Sequence, residues 1–246
     1  MNLIIDAGNT QVKWALYSGK MQFRKGAVST LRELSEELSG IEASETKAAI
    51  ISAVRKLPGD FLSSLREKIP QIYLLDKNLP LPVKIDYDTP ETLGKDRIAA
   101  AVGAAAIYPG LPVLVIDVGT AITFDLISED ASFKGGNISP GLYMRFKALN
   151  SYTDDLPLVG SSDNIPIMGR TTSEAIQSGV QLGIAYEIDA YINALVNKFN
   201  GLRVILTGGD APLFVKNLKN TIFVVPDLVI DGLNLILNYQ DELNQA

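Results

Sequence analysis

The chain of 246 residues contains no cysteine and no histidine. The first absence removes disulfides, thiolate nucleophiles and cysteine-ligated metals. The second removes Ser-His-Asp triads, histidine-ligated zinc and imidazole acid–base catalysis. A general base must therefore be a carboxylate or, failing that, a lysine or tyrosine. Positive charge is scarce as well: 22 Lys and Arg stand against 28 Asp and Glu, a net charge of −6. With no basic cluster, nucleic acid is not an expected partner. No stretch approaches the roughly 18 uninterrupted apolar residues that a membrane span needs. The N-terminus runs into Leu3-Ile4-Ile5-Asp6 without a basic region or long apolar segment, so no membrane association is expected and the cytoplasm is the expected compartment. What remains, 47% hydrophobic and 20% charged residues, is enough for the core of one large or two small domains.

Within that ordinary composition one pattern occurs twice. Asp6-Ala-Gly-Asn-Thr10 ends an apolar run, and Asp117-Val-Gly-Thr120 ends another, 111 residues later. Leu3 to Ile5 read as a buried strand, after which Val12, Trp14 and Leu16 alternate outward from the turn; Val113 to Ile116 and then Ile122, Phe124 and Leu126 repeat the arrangement. Each copy is strand, acidic turn, strand. Such a turn suits a phosphate tail: glycine lets backbone N–H groups approach phosphate oxygens, threonine adds a hydroxyl, and an aspartate at the strand end can hold a screening cation. A lone Asp-x-Gly-x-Thr is equally a plain hairpin turn. Two in register point to a duplicated nucleotide-binding fold.

Between and after the repeats, strands and helices alternate. The pattern predicts a strand over Phe23 to Val28, a helix over Leu31 to Leu38, a strand over Ala48 to Val54, a helix over Phe61 to Lys68 and a strand over Gln71 to Leu75. An irregular segment with prolines at 80, 82 and 90 then feeds an alanine-rich helix over Arg97 to Tyr108, ended by Pro109-Gly110. The expected domains are thus 1–110 and 111–246. The second begins with its hairpin and continues through Gly135-Gly-Asn-Ile-Ser-Pro-Gly141 to a helix carrying Met144 to Leu149. A polar loop to about Gly169 leads to a long helix over Ser173 to Phe199, whose Gly179 and Gly183 permit close packing. A strand over Arg203 to Leu206 ends in Thr207-Gly-Gly-Asp210. A helix from Leu213, a strand over Ile222 to Val225 and a C-terminal helix from about Asp231 complete the chain.

An acidic-turn hairpin in each half and a late strand ending in Gly-Gly are similar to the acetate and sugar kinase, Hsp70 and actin superfamily. That resemblance implies an α/β fold of duplicated ribonuclease H-like domains, with mixed β-sheets flanked by helices. Within it, Asp6-Ala-Gly-Asn-Thr, Gly94-Lys-Asp-Arg97, Asp117-Val-Gly-Thr-Ala-Ile-Thr123, Gly135 to Gly141 and Gly169-Arg-Thr-Thr172 together resemble type III pantothenate kinase over nearly the whole chain. Actin-like relatives share the phosphate turns but lack the Gly-x-Asp-Arg between them.

The resemblance implies ATP-dependent phosphorylation of pantothenate, with Mg²⁺ and a monovalent cation, K⁺ or NH₄⁺, assisting, and a homodimer. Asp96 is the implied general base toward the primary hydroxyl of pantothenate, although its place at a helix start equally fits a cap. Gly94, Lys95, Asp96 and Arg97 would line the pantothenate site, with Arg97 pairing a carboxylate or phosphate; a surface salt bridge is its plainer reading. Tyr87 matches a substrate-contacting tyrosine, or else packs. Asp6, Ala7, Gly8, Asn9, Thr10, Gln11, Val12 and Lys13 would wrap the ATP phosphates, with Asp6 near Mg²⁺. Lys13, on the outgoing strand, reads as well as a solvated side chain. Asp117 matches the monovalent-cation position and Thr120 an ATP contact. Thr171 and Glu174 have capping-box spacing, which leaves Thr172 for substrate. Gly208 and Gly209 would pack against adenine, or simply form a tight turn.

Two rival functions follow from the same fold. One is a non-enzymatic ATP-binding regulator acting as a transcriptional accessory factor, which would want a DNA-binding module that the chain lacks. The other is nucleotide or polyphosphate hydrolysis, which would need a water-positioning residue.

Overall fold

The computed structural model describes residues 1–40, 46–54 and 56–245. It divides into two compact units. One comprises Met1–Ile107, Ala131–Phe133 and the C-terminal stretch from Asp227 on; the other comprises Tyr108–Asp130 and Lys134–Pro226.

The first unit is built on a five-stranded sheet in the order β3-β2-β1-β4-β5. Its strands are β1 (Asn2–Ala7), β2 (Val12–Ser18), β3 (Met21–Val28), β4 (Ala48–Ala53) and β5 (Gln71–Leu74). β1, β2 and β3 pair antiparallel, whereas β4 and β5 join β1 in parallel, so the sheet is mixed. Period-two alternation decides what each face buries. Leu3, Ile5, Trp14 and Leu16 pack with Leu34 and Leu38 of α1 (Leu31–Leu38) and Phe61 and Leu65 of α2 (Gly59–Lys68). Ile4, Ala15, Tyr17 and Ile50 face the other way, toward Ala99 and Val102 of α3 (Lys95–Ile107) and Leu233 and Leu237 of α7 (Leu228–Gln245). The two helices approach closely because two glycines face backbone: a Cβ at Gly232 would lie 1.8 Å from the Ala99 carbonyl oxygen, and one at Gly103 2.8 Å from that of Leu228. The C-terminal helix therefore belongs to the first unit, whereas a cut at Gly110 assigns it to the second. A short strand β6 (Lys84–Ile85) pairs in parallel with Ser132 and Phe133.

The second unit repeats the plan. β7 (Val113–Val118) and β8 (Ala121–Ile127) form the antiparallel hairpin, β10 (Arg203–Thr207) joins β7 in parallel, and β11 (Phe223–Val224) and β9 (Ser132–Pro140) flank them in the order β11-β10-β7-β8-β9. One sheet face, with Leu114, Ile116, Ile122 and Phe124, is covered by α4 (Leu142–Ser151) and α5 (Thr172–Val196). Phe146, Val180, Ile184 and Ile188 complete that core. The observed architecture is the expected one, two mixed sheets flanked by helices. Gly135 to Pro140 are extended within β9. Several boundaries move: α3 begins at Lys95, so Asp96 lies inside its first turn; α5 ends at Val196 rather than Phe199; α7 begins at Leu228 rather than about Asp231; and the helix expected from Leu213 is a single turn, α6 (Ala211–Phe214), followed by a 3-10 turn over Val215–Asn217. Pro212 at the start of that turn fixes where it begins.

Candidate active site

In the first unit Asp6 sits one residue before the end of β1, in register with Lys13 on β2 and Ser52 on β4. Residues opposite each other in a sheet share a face, so this strand end presents a carboxylate between an ammonium and a hydroxyl. Burial pushes the half-buried Asp6 carboxyl up to about 6; the Ser52 hydroxyl opposes that rise, the Asp96 carboxylate adds to it, and the Lys13 ammonium lowers it. Lys13 is thus electrostatically coupled to Asp6. The connecting loop closes with a hydrogen bond from Gly8 N to Gln11 O, 3.0 Å, and leaves Asn9, Thr10 and Gln11 exposed. Ala7 and Val12 turn their side chains into the core, so only their backbone groups are available to a ligand.

The Gly94–Arg97 segment opens α3. Asp96 Oδ1 accepts from the Arg97 amide at 2.9 Å, and a Cβ on Gly94 would lie 2.5 Å from that oxygen. The glycine makes room for the carboxylate. Capping does not consume Asp96, because a carboxylate offers two oxygens and about four lone-pair sites. Lys95 extends its ammonium to the Ala53 carbonyl, 3.0 Å, tying the helix start to the end of β4. Arg97 is buried rather than on the surface, its guanidinium carbon 5.4 Å from the Phe133 ring centroid. Half-buried Tyr87 meets the same ring edge-on, centroids 5.7 Å apart at 78°. Phe133 is the residue that sequence reasoning misses: it reads as one more apolar strand position, yet it joins Tyr87 to Arg97. Ser52 is missed for a similar reason, being a small polar residue in an apolar strand.

The second unit carries the other turn. Half-buried Asp117 stands at the end of β7, in register with Thr123 and Thr207. Gly119 N donates to Ala121 O at 3.0 Å and leaves Thr120 exposed. Gly208 adopts φ +97°, and a Cβ there would lie 2.4 Å from both Asp117 Oδ1 and Val118 O, so the backbone rests directly on the aspartate. Gly209 has open space where a side chain would be. Burial also raises the carboxyl of neighbouring Asp210, whose amide donates to Val118 O at 2.9 Å. At the start of α5, Thr171 Oγ1 accepts from Glu174 N at 3.2 Å and the Glu174 carboxylate accepts from Thr171 N at 3.2 Å, a complete capping box. Thr172, the first helical residue, is exposed.

The first unit therefore gathers Asp6, Lys13, Ser52 and the Gly94–Arg97 turn, together with Tyr87 and Phe133. The second gathers Asp117, Thr120, Gly208 and Gly209. Among the described residues no three His, Cys, Asp or Glu side chains form a ready-made metal cage, and no helix is long and apolar enough to cross a membrane.

Comparison with known proteins adds the chemistry. The family profile described as type III pantothenate kinase matches residues 2–194. A type III pantothenate kinase of Cytophaga hutchinsonii is 47% identical over 240 residues, 97% of this chain and 99% of that protein. One of Bacteroides fragilis is 44% identical over 245 residues, 98% of this chain and 99% of its own length. Among solved structures, a Campylobacter jejuni protein described as belonging to the Baf family of transcriptional activators superposes with a TM-score of 0.63 at 20% identity, covering 98% of this chain and 99% of that one. A Sinorhizobium meliloti protein described as a 2-dehydro-3-deoxygalactonokinase does so at 0.62 and 13%, with coverage of 98% and 99%. At such identities the structures speak for the fold alone.

Proposed function

The chain belongs to the type III pantothenate kinase family, and from that premise we infer how its residues share the work of phosphoryl transfer. The enzyme transfers the γ-phosphoryl group of ATP to the primary hydroxyl of pantothenate, giving 4'-phosphopantothenate and ADP, the first step toward coenzyme A. The regulator reading is not favoured.

Asp96 accepts the hydroxyl proton as the new oxygen–phosphorus bond forms and the bond to the ADP oxygen breaks. In a loose transition state the alcohol loses its proton late, so a modest base that is well placed suffices. The observation that carries this assignment is the convergence of Asp96, Arg97 and Tyr87: the carboxylate is fixed by its own helix start, and its neighbours are held on one ring, Phe133. Arg97 pairs the pantothenate carboxylate and Tyr87 and Gly94–Lys95 complete the pocket, with Thr172 supplying a further contact. Loop 6–13 wraps the phosphates of ATP, Thr120 adds a hydroxyl, and Gly208–Gly209 take the adenine side.

Mg²⁺ is usually held by one or two carboxylates together with substrate phosphates rather than by a full protein cage. Asp6 fits that habit, since a carboxyl raised to about 6 by burial is one that an arriving cation stabilises. When bound, the ion screens the phosphate charge. Asp117, half-buried with the Gly208 backbone against it, offers the hard oxygen that K⁺ or NH₄⁺ takes. The compartment is the cytoplasm. The assembly is a homodimer, for which Gly179 and Gly183 on α5 leave an open face beside exposed Tyr186; a monomer mass in light scattering at micromolar concentration would remove that assignment.

The deciding experiment is ADP release with and without pantothenate, in potassium buffer with Mg²⁺, for the native chain and for Asp96→Asn. Pantothenate-dependent turnover that falls at least about a hundredfold in the variant, with ATP binding retained, is the expected result. ADP release indifferent to pantothenate would overturn the kinase assignment. Full turnover in Asp96→Asn would reduce that residue to a helix cap.

A further inference from the structure

The Gly135–Gly141 segment is the one motif that the functional reading leaves without a task. Along Lys134–Pro140 every side chain is exposed or half-exposed, so hydrophobic packing does not fix where this end of β9 lies. Its last residue nevertheless meets the second phosphate turn at close range. Gly141 N donates to Thr120 O at 3.1 Å, and a Cβ on Gly141 would lie 2.2 Å from Gly119 O and 2.3 Å from Thr120 O. The turn is pressed against a backbone that pairing with β8 lines up, and whose end needs a further holder.

That holder is Arg145, one helical turn into α4. Its Nε donates to Pro140 O at 2.8 Å and its Nη2 to Ser139 Oγ at 3.0 Å, while the same Nη2 pairs with the Glu187 carboxylate on α5. Both charged side chains are largely withdrawn from water, 22% and 24% exposed, which separates this pair from an ordinary surface ion pair. Leu142 and Phe146 on either side are buried in the core, so the guanidinium projects from a fixed helix. Arg145 thereby ties three oxygens on two elements, a task for a planar fork and not for a point charge.

We propose that Arg145 is a positioning residue for ATP: by clamping Ser139 and Pro140 to α5 through Glu187, it holds Gly141 against the Gly119–Thr120 turn in the geometry that receives the nucleotide. The inference rests on the assignment of Thr120 to ATP. It assigns no contact between Arg145 and either substrate.

The test compares Arg145→Ala, Arg145→Lys, Glu187→Gln and Thr120→Val by steady-state kinetics with each substrate varied in turn, alongside thermal unfolding. Arg145→Ala should raise the KM for ATP about fivefold to tenfold, the scale of one charge-assisted hydrogen bond partly transmitted, with the KM for pantothenate within about twofold of native. Arg145→Lys keeps the charge opposite Glu187 but not the fork, and should recover only part of the loss. Glu187→Gln, a milder change that keeps the core intact, should move the KM for ATP in the same direction if Arg145→Ala fails to fold. Arg145 and Glu187 variants that lower Tm yet leave the KM for ATP native, while Thr120→Val raises it, would overturn the positioning role and leave the assignment of Thr120 standing. A native KM for ATP in Thr120→Val would remove that assignment, and the inference with it.

Discussion

Replacing Asp6 with Asn should make the ligand-free protein more stable, and only above a certain pH. Burial raises the Asp6 carboxyl from 3.8 to about 6. Between those values the folded chain binds more protons at this site than the unfolded chain, so stability falls as pH rises through the interval and the charged carboxylate is a standing cost above it. A shift of about 2 units at roughly 1.4 kcal/mol each gives an upper figure of about 3 kcal/mol. Since Asp6 is only half-buried, we discount this to about 1–2 kcal/mol. Asn is neutral throughout, so Asp6→Asn should match the native chain near pH 4 and exceed it by that amount at pH 8. Trp14 provides the assay: it is the only tryptophan, is buried, and belongs to the strand paired with β1, next to the register partner of Asp6. Urea unfolding followed by its fluorescence, without nucleotide or Mg²⁺, reads the first unit directly. The same variant should lose the stabilisation that Mg²⁺ and ATP give the native chain, as expected of a residue kept for function at a cost in stability. A variant no more stable than native at pH 8, or more stable by the same margin at pH 4 and pH 8, would refute the reasoning.

Three substitutions test the packing of α3 against α7 and the division of labour at the start of α5. Gly232→Ala places a methyl 1.8 Å from the Ala99 carbonyl oxygen, and should cost more than about 3 kcal/mol in the Trp14-monitored transition because two helix backbones must separate. Thr171→Ala removes the cap of α5 and should lower stability by about 1 kcal/mol with the KM for pantothenate unchanged, whereas Thr172→Ala should raise that KM with little effect on Tm.

The parts of the fold legible in the sequence are those in which local chemistry and tertiary role coincide. The alternation of Leu3 and Ile5 against Ile4 announces a strand buried on both faces, and the two aspartate turns end their strands where glycine is needed. The capping box at Thr171 and Glu174 is realised as the spacing requires. The start of α3 moved for reasons beyond pattern. α3 starts at Lys95, where the lysine reaches the Ala53 carbonyl and Gly94 gives way to Asp96, neither of which a helix propensity records. The C-terminal helix has an apolar face that fits many partners, and the meetings of Gly232 with Ala99 and of Gly103 with Leu228 select α3. The same distinction separates residues that meet a ligand from residues that hold them. Asp6, Asp96 and Arg97 stand out because they lie in the acidic turn and in the Gly-x-Asp-Arg segment. Phe133 and Leu142 look like any core residue, and Arg145 like any helical arginine. A chain could therefore keep every motif from Asp6 to Thr172, exchange Phe133 for a small side chain, and lose the ring on which both Tyr87 and Arg97 rest.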